Sequence, residues 1–499
     1  MLALSFPKFG HPAVAWIALT PLLLAVARSA GARRRHAFLL GATTGVIYFG
    51  GTVYWVAGTM ELHGGLPPVL SVPIAALLAA YLAIYPGLFA LFLQQAVRRF
   101  GPAGIWLTPL LWVAGEWLRG TVKPGFPWVL LGTSQATVQP VIQLASVVGV
   151  YGVSAFVAAV STAAVALTMS SRAMRQAAVV ALVAGVGIVA WGSWRVADGA
   201  LLERGEPERV GIVQGSIPQE QKWDARFSRD IIDRYLSLSR RVIADGAELV
   251  IWPESSTPFP FDTNSAMAEP IRLLAARAQV PFIIGSDRSE PGAPGEPGRY
   301  YNAAVLVGAD GQSRQWYHKM RLAPFGEYVP YESLLFFVGP LVEKVSSFTA
   351  GTEAVVFDAD GRRVSVAICY ESIYPDLARR FVEQGSALLA TITNDAWFGW
   401  SSAPYQHFEQ AAVRAVEQGR YVVRAANTGI SGAVDPYGRV IARTPLFEPV
   451  ALTVDVRLLT ERTIYSRIGD VVVWCGLVPA AWLAATLVLE WRRRPTRRP

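Results

Sequence analysis

The amino-acid sequence predicts a multi-domain membrane protein in which an α-helical transmembrane bundle is joined to an extramembrane α/β domain. Of the 499 residues, 52% are hydrophobic and only 16% are charged, whereas ordinary globular domains carry roughly 25% charged residues. Long apolar runs fill the first 195 residues and 470–490, and the block between them has mixed polarity. We therefore predict a helix bundle over 1–199, an α/β domain over 200–465, and a closing helix with a basic tail over 466–499.

Seven apolar runs predict the spanning helices, since a helix needs about 20 apolar residues to cross a hydrocarbon core of ~30 Å. The runs cover 12–27, 36–57, 69–96, 103–118, 151–170, 177–195 and 470–490. The first run is short for a span. Transport usually leaves ionisable residues inside the spans. Because Glu116 is the one candidate here, a transporter with a large binding domain is the weaker interpretation.

Arginine clusters predict the orientation of these helices. They lie at 28–35, 98–99, 172–175 and 492–498, after the first, third, fifth and seventh runs. The positive-inside rule makes these ends cytoplasmic, which places 200–465 on the periplasmic side of a bacterial inner membrane. The net charge of +8 therefore indicates membrane orientation, and we predict no nucleic-acid binding.

Seven spans would place the N-terminus on the same side as the 200–465 block. Residues 1–7 look like the tail of a preceding apolar segment. A missing eighth helix at the start and a short re-entrant stub both remain open. A cleaved signal peptide fits poorly, because no basic segment precedes an apolar one.

Within 200–465, short Val/Ile/Leu runs alternate with amphipathic stretches, a pattern typical of a layered α/β domain. The predicted strands are 209–213, 249–252, 281–285, 303–307, 364–369, 388–393 and 421–425. The predicted helices are 227–244, 266–279, 374–383 and 405–418. Asp-Gly pairs at 310–311 and 360–361, and the DPYG sequence at 435–438, predict turns between strands.

Three reactive side chains stand at the ends of strand-like runs: Glu254, Lys319 and Cys369. Cysteine is scarce, since the one other, Cys475, lies in the last apolar run. Taken alone, Cys369 could be a small core residue, and the other two could form a structural ion pair. At the tips of adjacent strands, however, the three would form a catalytic set.

Each of the three has a role that its chemistry suits. Glu254 can take the thiol proton as general base and return it as general acid. The Lys319 ammonium lowers the thiol pKa and stabilises an oxyanion, together with a backbone N–H after Cys369. A Cys/His pair that uses His318 or His407 is also conceivable, although either histidine could be a surface residue.

The motifs and their order resemble a known family. WPE ending at Glu254, HK ending at Lys319 and CYE beginning at Cys369 are similar to the Glu–Lys–Cys triad of the nitrilase (carbon–nitrogen hydrolase) superfamily. That superfamily implies an α-β-β-α sandwich. The stretches 214–218, 222–224, 319–330 and 393–399, between an N-terminal bundle and a closing helix, resemble the apolipoprotein N-acyltransferase family.

This resemblance implies a ping-pong acyl transfer with no metal or organic cofactor. Cys369 would take a fatty acyl chain from a phospholipid as a thioester, and the N-terminal amine of a diacylglyceryl-cysteine apolipoprotein would then receive it. A thioester suits this scheme because thiolate leaves readily when an amine attacks. The alternative is a membrane-tethered nitrilase-type amidase, in which water resolves the thioester of a small amide.

The family also implies supporting residues. Glu327 is expected to hold Lys319 in place, although it could instead be a surface carboxylate. Tyr370 and Glu371 are expected to line the pocket. The family further implies two aromatic residues near the substrate, which could equally be core or membrane-contact residues: Trp223 and Trp397.

Two stretches of the 200–465 block are apolar enough to indicate contact with lipid. Residues 331–348 predict a lid or arm that dips towards the bilayer. The WFGW sequence at 397–400 is a second candidate, with aromatic residues suited to the membrane interface. Both stretches favour a lipid substrate over a small soluble amide.

Overall fold

The computed structural model describes residues 1–292, 298–328 and 348–492, which form two compact units. The first unit comprises Met1–Gly58, Leu66–Ala197 and the C-terminal segment that begins at Ile468. The second unit comprises Thr59–Gly65 and Asp198–Arg467. The short 59–65 segment therefore belongs to the second unit, although the N-terminal apolar runs lie on both sides of it in the sequence.

Helices form most of the first unit, and every predicted apolar run contains helix. In chain order, the α-helices of the described residues are α1 (Ala15–Ala18), α2 (Thr20–Arg28), α3 (Arg34–Thr52), α4 (Trp55–Leu62), α5 (Pro68–Phe100), α6 (Thr108–Thr121), α7 (Gln139–Ile142), α8 (Ala145–Leu167), α9 (Arg172–Asp198), α10 (Ser228–Ala244), α11 (Ser265–Ala278), α12 (Pro375–Glu383), α13 (Ala403–Gln418), α14 (Ile464–Ile468) and α15 (Val471–Arg492). The predicted bundle of apolar helices is confirmed.

Fewer than seven helices are long and apolar enough to cross a membrane. Among the described residues, four stretches qualify, and the bent pair α3–α4 adds a fifth if it forms one span. The first predicted run forms only the shorter apolar stretch Pro12–Arg28. The fourth run corresponds to α6, which follows α5 through the 3-10 helix Gly101–Leu107 within one apolar stretch, Pro68–Thr121. By the length and composition of the described helices, the number of candidate spans is therefore smaller than the seven predicted.

Small residues let the helices of the first unit approach closely. A Cβ atom on Gly41 in α3 would lie 2.1 Å from the carbonyl oxygen of Pro86 in α5. One on Gly476 in α15 would lie 2.4 Å from the carbonyl oxygen of Leu110 in α6. The last helix of the chain thus packs on the bundle that the N-terminal segment forms.

Glu116, the ionisable residue that a transporter would need, has a structural role in this unit. Its Oε1 accepts hydrogen bonds from the Leu131 N–H (2.6 Å) and from the Trp112 indole (3.0 Å). Arg119, one turn later, donates to the carbonyl of Phe126 (2.7 Å). These side chains form hydrogen bonds with backbone N–H and C=O groups of the irregular segment after α6. Such groups need partners because the apolar surroundings offer none.

Two six-stranded sheets form the centre of the second unit. The strands are β1 (Glu206–Gln214), β2 (Leu249–Ile251), β3 (Phe282–Glu290), β4 (Arg299–Val307), β5 (Ser313–His318), β6 (Val356–Ala359), β7 (Arg362–Ile368), β8 (Leu388–Thr393), β9 (Val422–Ala426), β10 (Gly432–Val434), β11 (Val440–Arg443) and β12 (Val450–Leu458). The first sheet has the order β12-β1-β2-β3-β4-β5 and the second the order β11-β10-β9-β8-β7-β6. β1–β3 and β7–β9 are parallel within their sheets, and the other pairs are antiparallel.

The two sheets face each other between layers of helix. β1 lies against β9 and β4 against β7, while α10 packs on β1 and β2, and α13 packs on β9. The α10 and α11 side of the first sheet buries a large apolar cluster that includes Tyr235, Trp252 and Phe282. The predicted α-β-β-α sandwich is confirmed, and each of the seven predicted strands and four predicted helices of this block is present.

Candidate active site

The three predicted reactive side chains come together in the second unit, each just beyond the end of a strand. Glu254 follows β2, Lys319 follows β5 and Cys369 follows β7. β2 and β5 are not neighbours in the first sheet, and β7 belongs to the second sheet. The expectation that adjacent strands carry the set is therefore wrong, because both facing sheets contribute to it.

Glu254 is a buried carboxylate with a hydrogen bond to each of its oxygen atoms. Its Oε1 accepts from Asn302 Nδ2 (2.7 Å) and Lys319 Nζ (3.2 Å). Its Oε2 accepts from the Asn394 N–H (2.9 Å), and its main-chain oxygen accepts from Lys222 Nζ (3.0 Å). Burial disfavours its charge, but Lys319 and Lys222 together hold the pKa of this carboxyl below its ordinary value. Glu254 is thus ionised and able to accept a proton.

Lys319 lies between two carboxylates, and both of them accept a hydrogen bond from the same side-chain amide. Its Nζ is 2.9 Å from Glu327 and 3.2 Å from Glu254. Asn302 Nδ2 donates to Oε1 of both carboxylates at 2.7 Å. Burial disfavours the ammonium, yet the two carboxylates hold the pKa of Lys319 well above its usual range. Glu327 is itself buried, so the alternative that it is a surface carboxylate does not hold.

Cys369 sits in a sharp turn between β7 and the 3-10 helix Cys369–Ile373, with φ of +51°. Burial and the nearby Glu254 carboxylate raise the pKa of its thiol well above the ordinary value, and Lys319 offsets only part of this effect. Lys319 therefore acts in the predicted direction, and burial together with Glu254 acts against it. A raised pKa favours the protonated thiol, which then needs a base to take its proton before the sulfur can react.

Glu371 joins the two segments that carry Lys319 and Cys369. Its Oε1 accepts three hydrogen bonds from the end of β5 and the residues after it: Tyr317 Oη (2.8 Å), Met320 N (2.6 Å) and Arg321 N (3.0 Å). Its Oε2 accepts from the Ile368 N–H (2.8 Å), next to Cys369. Burial raises the pKa of Glu371 to about 7. Since its side chain is buried and its two oxygen atoms accept four hydrogen bonds, Glu371 braces the site. That it lines the pocket stays a prediction.

A Glu371→Gln substitution is expected to cost stability and turnover together. One of the two oxygen atoms would become an NH2 group, which cannot accept the hydrogen bonds that the backbone N–H groups now donate to Glu371. These donors would be left unsatisfied, which should lower the free energy of unfolding by about 1–3 kcal/mol. Displacement of the Lys319 and Cys369 segments should lower kcat roughly tenfold to a hundredfold. Urea unfolding in detergent and an acyl-transfer assay would measure both quantities. The same change at exposed Glu269 is the matched control, and wild-type kcat in Glu371→Gln would contradict the bracing role.

Known proteins resemble this chain over almost its whole length. Residues 1–164 match the family described as the apolipoprotein N-acyltransferase N-terminal domain, and residues 209–464 match the carbon–nitrogen hydrolase family. A relative from Geobacter metallireducens, named apolipoprotein N-acyltransferase, is 39% identical over 99% of this chain and 94% of its own length. The chain belongs to the apolipoprotein N-acyltransferase family. A relative of the same name from Shewanella oneidensis is 34% identical, with 95% and 92% of the two chains covered.

The resemblance inferred from the motifs is thereby confirmed. Among solved structures, an amidase from Nesterenkonia sp. is 21% identical to this member of the apolipoprotein N-acyltransferase family, with a TM-score of 0.39. That match covers 52% of this chain and 95% of the amidase chain.

The three aromatic residues that the apolipoprotein N-acyltransferase family implies lie on segments that touch the reactive set. Tyr370 directly follows Cys369, is buried, and packs edge-on against Tyr374 with ring centroids 5.4 Å apart. Trp223 follows Lys222 and is 49% exposed, and Trp397 lies beyond Asn394 and is 40% exposed. The alternative of core aromatics does not hold for these two tryptophans.

The 59–65 segment also contacts the loop that carries Trp397. The Thr59 hydroxyl donates to the main-chain oxygen of Trp397 (2.9 Å), and His63 Nε2 lies 3.2 Å from that of Ala396. The His63 and Trp397 rings meet edge-on, 4.7 Å apart. Of the predicted arm at 331–348, only Phe348 lies within the described residues. The 397–400 stretch includes Trp400, which is 70% exposed, and its contact with lipid stays a prediction.

Sequence reasoning missed several residues around the reactive set. Asn302 bridges the two carboxylates from the middle of β4, where a single polar residue among apolar ones was the available signal. Lys222 was noticed only as part of a motif, but its ammonium is buried beside Glu254. Burial lowers the pKa of Lys222 to about 8, with Glu254 and Asp287 opposing that effect. His407 is fully buried, which excludes the surface role considered for it, and His318 stacks on Tyr301 at 4.0 Å.

Proposed function

We propose that this chain moves a fatty acyl chain from a phospholipid to the N-terminal amine of a diacylglyceryl-cysteine apolipoprotein, through a thioester on Cys369. The observation that carries the proposal is the set formed by buried Glu254 and Lys319 and partly buried Cys369. It belongs to a chain whose relatives are named apolipoprotein N-acyltransferases and which contains apolar helices of membrane-spanning length.

The first half-reaction uses Glu254 as base and then as acid. Glu254 takes the thiol proton of Cys369 while the sulfur attacks the ester carbonyl of the phospholipid. The Lys319 ammonium and the N–H of Tyr370 stabilise the oxyanion that forms. The ester C–O bond then breaks, and Glu254 returns its proton to the departing alcohol. The products are a thioester and a lysophospholipid.

The second half-reaction reuses the same groups. The neutral α-amino group of the apolipoprotein attacks the thioester carbon, and Glu254 accepts a proton from the attacking nitrogen. When the C–S bond breaks, sulfur leaves as thiolate and takes that proton back, which restores the neutral thiol. The cycle thus starts and ends with the protonated thiol, the form that the raised pKa of Cys369 favours.

We also infer that residues 200–465 lie on the periplasmic side of the inner membrane. The arginine clusters at the ends of the apolar runs support this orientation, as does the acceptor, because a diacylated lipoprotein is anchored at the membrane surface. We expect Glu327 to act by holding the Lys319 ammonium next to Glu254. Partly exposed Trp223 and Trp397 are the proposed contacts with acyl chains.

Mass spectrometry of the labelled enzyme tests the chemistry. Purified protein incubated with a phospholipid that carries an isotope-labelled acyl chain should gain that acyl mass on the peptide containing Cys369, in a hydroxylamine-sensitive linkage. Adding a diacylated lipopeptide should move the label to its N-terminus. A Cys475→Ala variant is the matched control and should behave like the wild type, because the chain has only two cysteines.

Two results would contradict the proposal. Label on any residue other than Cys369 would remove the nucleophile assignment. Release of labelled free fatty acid at the same rate with and without lipopeptide would show that water resolves the thioester. That outcome would favour the alternative, a membrane-tethered nitrilase-type hydrolase.

A further inference from the structure

A buried polar network lies behind the turn that carries Cys369. We call it the His407 network, and it consists of Ser372, Asp395, His407 and Arg424. These side chains come from the 3-10 helix after β7, the loop after β8, α13 and β9. Each is 3% exposed or less. Four separate elements thus place polar groups at one point of the core, next to the candidate nucleophile.

The network ends on the main-chain carbonyl of Cys369. His407 Nε2 lies 3.0 Å from that oxygen, and the Ser372 hydroxyl donates to it at 2.9 Å. On the other side of the ring, Nδ1 is 2.9 Å from an Arg424 guanidinium nitrogen and 3.0 Å from Asp395 Oδ1. Arg424 also donates to Asp395 Oδ2 at 2.9 Å. The imidazole is therefore held from both ends.

The neighbours of Nε2 indicate the tautomer of His407. The Cys369 carbonyl can only accept, and the Ser372 hydroxyl, which lies 3.0 Å from Nε2, donates its one proton to that carbonyl. We therefore assign the ring proton to Nε2. Burial and the Arg424 charge lower the pKa of His407, which leaves the ring neutral, with Nδ1 accepting from Arg424. Asp395 balances the charge of Arg424 and also accepts from the Thr393 hydroxyl (2.9 Å). The network therefore presents two donors to the Cys369 carbonyl, the Nε2–H of His407 and the Ser372 hydroxyl.

Fixing this carbonyl also fixes the next N–H group. The peptide unit between Cys369 and Tyr370 is planar and trans, so its C=O and N–H point in opposite directions. Since the carbonyl oxygen points at the network, the Tyr370 N–H points away from it. Cys369 has φ of +51°, a conformation unfavourable for a residue with a side chain. This turn therefore needs surrounding groups to keep its orientation.

We propose that His407 is a positioning residue for acyl transfer: by donating to the Cys369 carbonyl, it aims the Tyr370 N–H at the oxyanion formed in both half-reactions. The inference rests on the proposed role of Cys369 as nucleophile. His407 neither touches the substrate nor moves a proton in this account. It acts through the peptide unit that it holds.

A matched pair of substitutions separates positioning from simple packing. Leucine and glutamine are similar in size, and both remove the contacts of the ring with Asp395 and Arg424. Only His407→Gln keeps a side-chain N–H that can reach the Cys369 carbonyl. His36→Gln is the control, because His36 is exposed. Rapid quenching and mass spectrometry would give the rates of acyl-enzyme formation and of acyl transfer to a diacylated lipopeptide.

We expect His407→Leu to lower both rates by roughly tenfold to a hundredfold at saturating substrate. Complete loss of an oxyanion donor lowers kcat by about 10²–10³, and a donor that is only misoriented should lower it by a smaller factor. KM should stay within about twofold of the wild type, because the oxyanion exists only in the transition state. His407→Gln should recover most of this loss. Ser372→Ala, which removes the other donor to the same carbonyl, should slow both half-reactions by a smaller factor.

Several results would overturn the inference. Equal losses in His407→Leu and His407→Gln would indicate a packing role, and a loss in one half-reaction alone would exclude a shared oxyanion donor. If His407→Leu does not fold, Ser372→Ala decides the question: wild-type rates in that variant refute the proposal, and parallel losses support it. Wild-type enzyme that forms no acyl-enzyme would instead contradict the proposed function itself.

Discussion

Replacing Lys319 with methionine is expected to reduce kcat at least about a thousandfold and to lower the free energy of unfolding by roughly 3–5 kcal/mol. Lys319 Nζ lies within 3.2 Å of Glu254 and 2.9 Å of Glu327, and its side chain is 2% exposed. Methionine keeps the length and apolar stem of lysine but removes the charge. Two buried carboxylates would then face each other through Asn302 without a cation between them.

The loss of activity has two physical causes. Like charges at close range cannot both stay ionised in a buried site, so one of the two carboxylates takes up a proton at neutral pH. Because Lys319 lowers the pKa of Glu254 in the wild type, its removal raises that pKa and reduces the fraction of Glu254 that is ionised and able to accept a proton. The oxyanion also loses its ammonium. Both steps of the proposed cycle depend on each of these contributions.

A double variant distinguishes the catalytic role of Lys319 from its role in stability. Adding Glu327→Gln to Lys319→Met removes the uncompensated charge, so the unfolding free energy should recover by about half or more. Activity should stay at the level of the single variant. Lys123→Met, at an exposed lysine, is the matched control. A double variant that regains turnover would show that Lys319 serves only to neutralise Glu327.

The sequence predicted the fold class of the second unit because its strands and helices differ clearly in periodicity. Each predicted Val/Ile/Leu run became a strand. The strands outside the seven predicted, β5, β6, β10, β11 and β12, are short or carry exposed and polar residues, as in Val440–Arg443. Hydropathy located the apolar runs. Among the described residues, however, fewer helices than the seven predicted are long and apolar enough to span, and α6 follows α5 within one apolar stretch.

The reactive set could be predicted from the order of its motifs, but its electrostatics could not. Lys319 was expected to lower the thiol pKa, and Glu254 to accept the thiol proton. The fold adds the burial of the turn, which raises the thiol pKa, and shows that the Glu254 carboxylate acts in the same direction. For a related reason Asn302 was missed, and His407 was considered only as a possible partner of the thiol. Each meets the site through long-range packing of separate strands and helices, which no local pattern of the sequence reveals.

Replacing Glu254 with glutamine is expected to lower the rate of acyl-enzyme formation at pH 7 by about 10³–10⁴. Glutamine preserves the shape of the side chain, and its amide oxygen can still accept from Lys319 and Asn302. It cannot take the thiol proton. Since the pKa of Cys369 is well above neutrality in the wild type, almost no thiolate is present to react without a base.

The pH dependence of this variant gives the sharper test. In the wild type Glu254 is ionised at neutral pH and takes the proton directly, so the acylation rate should be nearly constant between about pH 7 and 9. In Glu254→Gln only hydroxide can ionise the thiol, so the rate should rise about tenfold per pH unit while pH stays below the thiol pKa. The variant therefore regains activity as pH rises, and the wild type does not.

The pKa of the Cys369 thiol in Glu254→Gln distinguishes the loss of a general base from a loss of structure. Glu254 raises the thiol pKa, whereas Lys319 lowers it. The neutral glutamine removes the first effect and leaves the second, so alkylation of Cys369 by iodoacetamide should begin at lower pH in Glu254→Gln than in the wild type. Glu269→Gln, at an exposed position, should alter neither profile. A pH-independent residual rate in Glu254→Gln would mean that another group accepts the thiol proton, and Glu254 would then lose its role as general base.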